Sequence, residues 1–365
     1  MREKYRWVLD LIILLVFLYL FFFSIELIGE GFKFLGKGFA ESLFRATSNP
    51  LVGLVIGILA TSIVQSSSTT TSTVVGMVAA GALNIRNAIP IIMGANIGTT
   101  VTNTIVSLAH ITRKNEFRRA FAGATMHDFF NLLSVTVLLP IEAKIHFLEK
   151  GALLMTDLFE GIGGMKVISP IKAIVKPAIH LLMDFFTSLP FSKGLIFAVV
   201  EIVAIALLFL ALNRMVTTLK HLFLGKIEGF FDTYIFKNTF QALFWGFFIT
   251  AIVQSSSMTT SLLVPLIAGG LVTLEAAFPF TLGANIGTTF TAIMASFATH
   301  TPAAITVAFT HLLFNISGTT LFLPLKKLPI SMARLLAEVA YRKRILALLY
   351  VVVVFFVIPL AIIFL

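Results

Sequence analysis

Cysteine is absent from this chain of 365 residues, and charged residues make up only 12% of it. Without cysteine, disulfide bonds and thiolate metal sites are excluded. The 58% share of hydrophobic residues and the mean hydropathy of +0.99 exclude a soluble globular protein. Long charge-free runs, in place of short alternating segments, predict membrane-crossing helices and not barrel strands. The sequence therefore predicts an all-α polytopic membrane protein in contact with the lipid bilayer.

Motifs for enzymatic chemistry are missing as well. The serines lack a G-x-S-x-G context, the histidines lack metal-ligand spacing, and no glycine-rich phosphate loop with a lysine is present. We therefore expect no enzyme and no organic cofactor. Most of the net charge of +10 lies in short loops beside apolar runs, where it acts as a topology signal and contacts anionic headgroups. A nucleic-acid partner is not expected.

The chain contains one polar motif twice. Residues 65–72 read QSSSTTTS and residues 254–261 read QSSSMTTS, a separation of 189 positions. The same separation relates two GANIGTT segments, at 94–100 and 283–289. Chance does not easily place so many matches in one register, so the sequence predicts two copies of one structural unit.

Further along each copy the separation falls to 184. His127 and Asn131 then match His311 and Asn315, and within each pair the residues lie four apart, on one face of a helix. We expect these four side chains to support the site through hydrogen bonds between helices.

Each polar motif lies inside a charge-free run, at 51–83 and at 240–272. The limbs on either side of the motif are about 15 residues long, which is short for a complete crossing of the bilayer. The sequence therefore predicts two re-entrant helical hairpins with the polar motifs near their tips. Glycines interrupt the apolar spans that follow, which predicts broken helices lining a cavity.

Loop charges indicate that the two copies have opposite orientations. Four Lys or Arg residues lie at 113–119, whereas the corresponding loop at 299–302 has none. Basic residues ahead of the apolar run 7–23 place the N-terminus in the cytoplasm, and an interfacial helix is expected within 29–48. With about seven transmembrane helices, the predicted fold is an inverted-topology repeat, the architecture of secondary transporters.

The chain is expected to divide into five parts in the plasma (inner) membrane. They are 1–49 for the first transmembrane helix and the interfacial helix, 50–142 for repeat 1, 143–238 for an external segment, connecting helix and cytoplasmic linker, 239–325 for repeat 2, and 326–365 for a basic segment and the last helix.

Serine, threonine and glutamine dominate the predicted hairpin tips. Their oxygens can coordinate a hard cation, and their N–H and O–H groups can donate to an anion. Helix N-termini at the tips would add free N–H groups that attract negative charge. Neither hairpin and neither broken span contains Lys or Arg, so a buried multiply charged anion would lack a fixed countercharge. This absence favours co-bound cations.

Asp128 is an acid in the middle of an apolar span, and the matching position of the second copy is Leu312. Because acids at membrane depth usually serve a function, Asp128 is a candidate cation ligand present in one repeat only. The alternative is a carboxylate that hydrogen-bonds His127 or Asn131 for packing.

Together these motifs resemble those of the type II sodium-dependent phosphate cotransporters. The resemblance rests on the paired QSSS and GANIGTT segments and on RRAFAGATMHDFFN at 118–131 and HLLFNISG at 311–318. It covers about residues 50–142 and 239–365. The resemblance implies uptake of inorganic phosphate driven by inward sodium, with electrogenic transport associated with the Asp128 position.

The candidate site residues come from the motifs and from this resemblance. The resemblance implies phosphate binding by Ser66, Ser67, Ser68, Thr69, Ser255, Ser256 and Ser257. It implies sodium binding by Asp128, Gln254, Ser255, Ser256, Thr288 and Thr291, and the oxygen-rich motifs add Gln65, Asn96, Thr99 and Asn285. The supporting residues are His127, Asn131, His311 and Asn315.

We therefore predict a sodium-coupled phosphate symporter that works by alternating access and is electrogenic. A sodium-coupled carrier for another oxyanion or a small carboxylate stays open as an alternative, as does a passive anion channel. The expected partners are inorganic phosphate, co-transported sodium and the bilayer, and a homodimer stays open.

Overall fold

The computed structural model describes residues 2–35, 45–161, 164–223 and 235–364, and every regular element within these ranges is helical. Six helices of this part of the chain are long and apolar enough to cross a membrane. The prediction of an all-α polytopic membrane protein is thereby confirmed. Of the range 29–48, in which an interfacial helix was expected, residues 29–35 belong to α1 and residues 36–44 lie outside the described residues.

The first half of the chain forms eight described helices. They are α1 Arg2–Leu35, α2 Pro50–Val64, α3 Ser67–Ala79, α4 Ile85–Leu108, α5 Lys114–Ile145, α6 Phe147–Gly161, α7 Gly164–Ser188 and α8 Lys193–Phe223.

The second half follows the same order from residue 239 onward. Its described helices are α9 Thr239–Val253, α10 Ser256–Ser261, α11 Leu263–Gly269, α12 Leu274–Thr299, α13 Pro302–Phe322, α14 Lys327–Arg342 and α15 Ile345–Phe364, the last with a π-helical turn at Val353–Val357. The six long apolar helices are α1 from Val8 onward, α4, α5, α8 up to Met215, α13 and α15. The seventh expected crossing is α12, which has 26 residues and is not among the six.

The turn between the limbs of each hairpin has the same geometry in both halves. Gln65 ends α2 in the left-handed conformation (φ 58°, ψ 26°), and Ser66 caps α3 by accepting a hydrogen bond from the Thr69 N–H at 3.2 Å. Gln254 ends α9 with φ 58° and ψ 25°, and Ser255 accepts from the N–H of the residue three positions on at 3.3 Å. The left-handed residue reverses the chain, and the serine then satisfies an N–H group at the start of the next helix.

Glycines bring the first limb of each hairpin into backbone contact with the helix that follows the hairpin. A Cβ placed on Gly94 of α4 would collide with the carbonyl oxygen of Leu54 in α2, and one on Gly283 of α12 would collide with that of Leu243 in α9. Only a residue without a side chain permits this approach. The two helix pairs α2/α4 and α9/α12 are therefore packed in the same way.

The second limbs of the hairpins differ. In the first half, α3 is one helix of 13 residues. In the second half, the limb is divided at Leu262 into α10 and α11. The surrounding apolar cores differ too: one joins α1, α3 and α8, and the other joins α5, α9, α11, α12 and α14.

Candidate functional site

The two hairpin turns meet at one small cavity of about 80 Å³. It is lined by Gln65, Ser66, Ser67, Ser68, Gln254, Ser255, Ser256, Ser257, Met258 and, from α8, Leu212 and Asn213. The volume holds several waters or one small ion. Among these described lining residues none is charged, so every polar contact that the cavity offers is a hydroxyl, an amide or the backbone.

Direct contacts join the turn of the first hairpin to the second half of the chain. Ser68 Oγ donates to the Gln254 carbonyl oxygen at 3.1 Å and lies 3.5 Å from Thr291 Oγ1. Both α3 and the helical limb 256–269 begin at the cavity, so their first N–H groups lie at its wall. Helix N-termini attract anions through these N–H groups.

The two glutamines at the turns have different surroundings. Gln65 is exposed, and its Oε1 accepts a hydrogen bond from Thr102 at 2.9 Å. Gln254 is 7% exposed, and its Nε2 donates to Met294 Sδ at 3.0 Å. Within the described residues, Gln254 Oε1 and Ser256 Oγ are buried oxygens without a hydrogen-bond partner. Since buried oxygens are rarely left without a partner, these two are available to a cation.

A second polar group is formed by two histidines and four asparagines, all buried. His127 Nε2 lies 3.1 Å from Asn285 Oδ1, and His311 Nε2 lies 3.4 Å from Asn96 Oδ1, so each ring reaches into the other half of the chain. The Asn285 amide donates to the Oδ1 atoms of two further asparagines, Asn131 at 2.9 Å and Asn315 at 2.8 Å. The six side chains therefore make one hydrogen-bonded group across the two halves.

Asp128 forms a third group, away from these histidine and asparagine contacts. The side chain is fully buried in α5, and its Oδ2 accepts from the hydroxyls of Thr104 at 3.3 Å and Tyr350 at 2.9 Å. Its Oδ1 has no partner among the described residues. The hydrogen bonds of this carboxylate go neither to His127 nor to Asn131, which was the packing alternative.

Three of the expected ligands have hydroxyls directed at their own helices. Thr99 donates to the Ala95 carbonyl oxygen at 2.8 Å and Thr288 to that of Ala284 at 3.0 Å. Thr69 donates to Ser66 Oγ at 2.8 Å and does not line the cavity. Their oxygens keep lone pairs, but the structure does not place these hydroxyls at the cavity wall.

Three residues near these groups, Asn103, Asn213 and Tyr350, were not anticipated from the sequence. Asn103 donates to Thr260 Oγ1 at 2.7 Å and accepts from Ser261 at 2.9 Å, which ties α4 to the second hairpin. The sequence offered one indication of this contact, namely that Asn103, Thr260 and Ser261 all lie in otherwise apolar, charge-free spans. Asn213, which lines the cavity, and Tyr350, which contacts Asp128, lie on α8 and α15. These helices are outside the repeats, so no matching segment of the sequence could indicate their positions.

These observations define a polytopic membrane protein whose buried polar groups come from two related halves of one chain. The model of the Na+/Pi-cotransporter family matches residues 20–166 and 207–341. The chain therefore belongs to this family.

Curated relatives agree with the family match. Sodium-dependent phosphate transport protein 2B from Homo sapiens is 38% identical over 446 residues, and its counterpart from Pongo abelii is equally similar. Both alignments cover 96% of this chain and 64% of the relative. Sodium-dependent phosphate transport protein 2A from Rattus norvegicus is 36% identical over 420 residues, covering 95% of this chain and 66% of the relative. The chain thus spans about two thirds of the length of these relatives. No solved structure matches it.

Proposed function

We propose that the protein carries inorganic phosphate across the membrane together with sodium. The observation that carries this proposal is the meeting of both QSSS turns at one uncharged cavity. Five of the six serine hydroxyls, all but that of Ser68, which donates to the Gln254 carbonyl oxygen, can donate together with two helix N-termini to the oxygens of a small tetrahedral anion there. The relatives are named as sodium-dependent phosphate transport proteins, which supports phosphate as that anion.

Sodium is proposed to supply the positive charge that the cavity lacks. An anion with one or two negative charges is costly to bury without a countercharge. Gln254 Oε1 and Ser256 Oγ, in residues that line the cavity, are buried and have no partner in the described part of the chain, and such neutral oxygens suit a hard monovalent cation. In this proposal, sodium binding prepares the cavity for phosphate.

The architecture proposed for transport is the inverted repeat predicted from the sequence, with repeats at 50–142 and 239–325. The hairpins then enter the membrane from opposite sides, and the cavity between their tips opens alternately to each side. Loop charge supports a cytoplasmic N-terminus in the plasma membrane. Asp128, present in one repeat only, is the proposed ligand of an additional sodium that makes transport electrogenic.

The test is uptake of labelled phosphate into proteoliposomes with an inward sodium gradient, compared with equal choline gradients. We expect uptake only with sodium, competition by arsenate, and little competition by sulfate or dicarboxylates. Ser256→Ala should raise the sodium concentration for half-maximal uptake, because it removes a proposed ligand. Ser188→Ala, at an exposed serine that ends α7, is the matched control.

Uptake that ignores sodium would contradict coupling and favour a channel or a proton-coupled carrier. Strong competition by sulfate or dicarboxylates would shift the substrate to another oxyanion or a carboxylate. The charge moved per phosphate, measured electrically, tests the role of Asp128. Asp128→Asn should lower this charge, and an unchanged value would remove Asp128 from the electrogenic step.

A further inference from the structure

The last helix of the chain contacts the buried acid of the first repeat. Tyr350 of α15 donates its hydroxyl to Asp128 Oδ2 at 2.9 Å, across 222 positions of sequence. Its ring stands edge-on to Phe121 at 6.2 Å and to Phe355 at 6.1 Å between centroids. Such edge-to-face contacts hold an aromatic ring in a defined orientation. The position of the hydroxyl is therefore fixed by packing on both sides.

This hydrogen bond distinguishes the two oxygens of the carboxylate. Thr104 also approaches Oδ2, at 3.3 Å, but its single hydroxyl proton is shared with the Thr100 carbonyl oxygen at 3.2 Å. Tyr350 is thus the nearer of these two donors to Oδ2. On the other side, Oδ1 is buried without a partner among the described residues. One oxygen is held and the other is left available.

We propose that Tyr350 is a positioning residue, which holds the Asp128 carboxylate so that Oδ1 binds the additional sodium ion. This inference rests on the proposed sodium-coupled function. A hydrogen bond from a neutral hydroxyl to a carboxylate is charge-assisted and directional, so it fixes the carboxylate plane. Without it, the carboxylate rotates among several orientations. Binding a cation must then fix one of them, and this loss of conformational entropy lowers the affinity for the cation.

The location of Tyr350 strengthens the argument. Asp128 has no acidic counterpart in the second half, where Leu312 occupies the matching position. Tyr350 likewise has no counterpart, because α15 follows the second copy. The π-helical turn Val353–Val357 begins three residues after Tyr350, and such turns are frequent at functional sites. Asp128 and Tyr350 therefore both lack a counterpart in the other half of the chain.

The test uses Tyr350→Phe, which removes the hydroxyl and keeps the packed ring. In proteoliposomes, the sodium concentration for half-maximal phosphate uptake should rise by about tenfold, the effect of losing one charge-assisted hydrogen bond. The half-saturating phosphate concentration at saturating sodium should stay unchanged. Thr104→Val, which removes the weaker donor, should shift the sodium dependence less in the same direction.

The double variant with Asp128→Asn decides whether Tyr350 acts through Asp128. If it does, Tyr350→Phe adds nothing to the sodium dependence of Asp128→Asn, since two groups acting as one unit are not additive. Tyr341→Phe is the matched control, because this tyrosine lies on α14 against Arg118 and outside the polar groups. It should leave the sodium dependence as in the wild type.

A second readout, the rise in melting temperature caused by sodium without phosphate, needs no transport. It should be present in the wild type and the Tyr341 variant and smaller in Tyr350→Phe, which loses the part due to the sodium at Asp128. Wild-type protein that shows this rise but no sodium-driven uptake would contradict the proposed function and leave the positioning role intact. Tyr350→Phe that keeps the full rise, shifts phosphate affinity instead, or adds its effect to Asp128→Asn would overturn the positioning role.

Discussion

The two halves of the chain share a backbone frame but not their polar chemistry. Both hairpins turn at a left-handed glutamine followed by a capping serine, and both first limbs contact a glycine of the helix that follows the hairpin. The glutamine oxygen, by contrast, is exposed and hydrogen-bonded in the first half, and buried without a described partner in the second. Asp128 also has no acidic counterpart, since Leu312 occupies the matching position in the second half. The two halves thus share a backbone frame but offer unequal oxygens to the ions that we propose they bind.

The largest expected effect concerns the shared scaffold. Gly94→Ala and Gly283→Ala each drive a Cβ into a backbone carbonyl oxygen, which side-chain adjustment cannot relieve. Each should destabilise the protein by about 1–3 kcal/mol or more, and the two effects should be similar. Thermal unfolding in detergent measures this. Gly194→Ala is the control and should change little, because no atom of the described residues lies within 4 Å of the added Cβ.

If Gly94→Ala left the thermal stability unchanged and Gly283→Ala lowered it, the helix pairs α2/α4 and α9/α12 would not be packed equivalently. In that case the symmetry of the scaffold would be restricted to the turns.

The second effect concerns the unequal glutamines. Gln254→Ala should raise the sodium concentration for half-maximal uptake by about tenfold, because a buried ligand to a cation is lost. Gln65→Ala should raise it by less than about threefold, since its oxygen is already occupied by Thr102 and is exposed to water. Sodium titrations of phosphate uptake compare the two variants side by side. Equal shifts would mean that both halves bind sodium in the same way.

The smallest effect concerns the caps. Ser66→Ala and Ser255→Ala should each lower the free energy of unfolding by about 1 kcal/mol, and by the same amount, because both serines accept one helical N–H. Asparagine at either position retains capping and should restore stability without restoring the proposed phosphate contacts. Melting temperatures for the four variants measure this, and a cost confined to one half would separate the two turns.

Much of the fold could be predicted because the internal repeat supplies its own register. The separation of 189 predicts the positions of both turns and of the helix after each hairpin, and the all-α membrane class follows from composition. The prediction that these two helices are broken was wrong, because α4 is continuous over Ile85–Leu108 and α12 over Leu274–Thr299. The site residues stay a prediction, although eight of them line one cavity. The Tyr350 and Asn213 contacts could not be predicted, since α15 and α8 have no copy elsewhere in the chain against which to align them. The close glycine contacts were also missed, because sequence marks a glycine without showing what approaches it.

The crossed pairs of histidine and asparagine have a consequence for biosynthesis. Chains are made from the N-terminus, so α4 and α5 enter the bilayer before α12 and α13 exist. During that interval, the His127 ring lacks Asn285 and the Asn96 side-chain oxygen lacks His311. A half-made chain is therefore expected to hold these polar groups without their partners from the other half, and to depend on the insertion machinery to shelter them from lipid. A fragment that stops before residue 239 is accordingly expected to be degraded by membrane quality control.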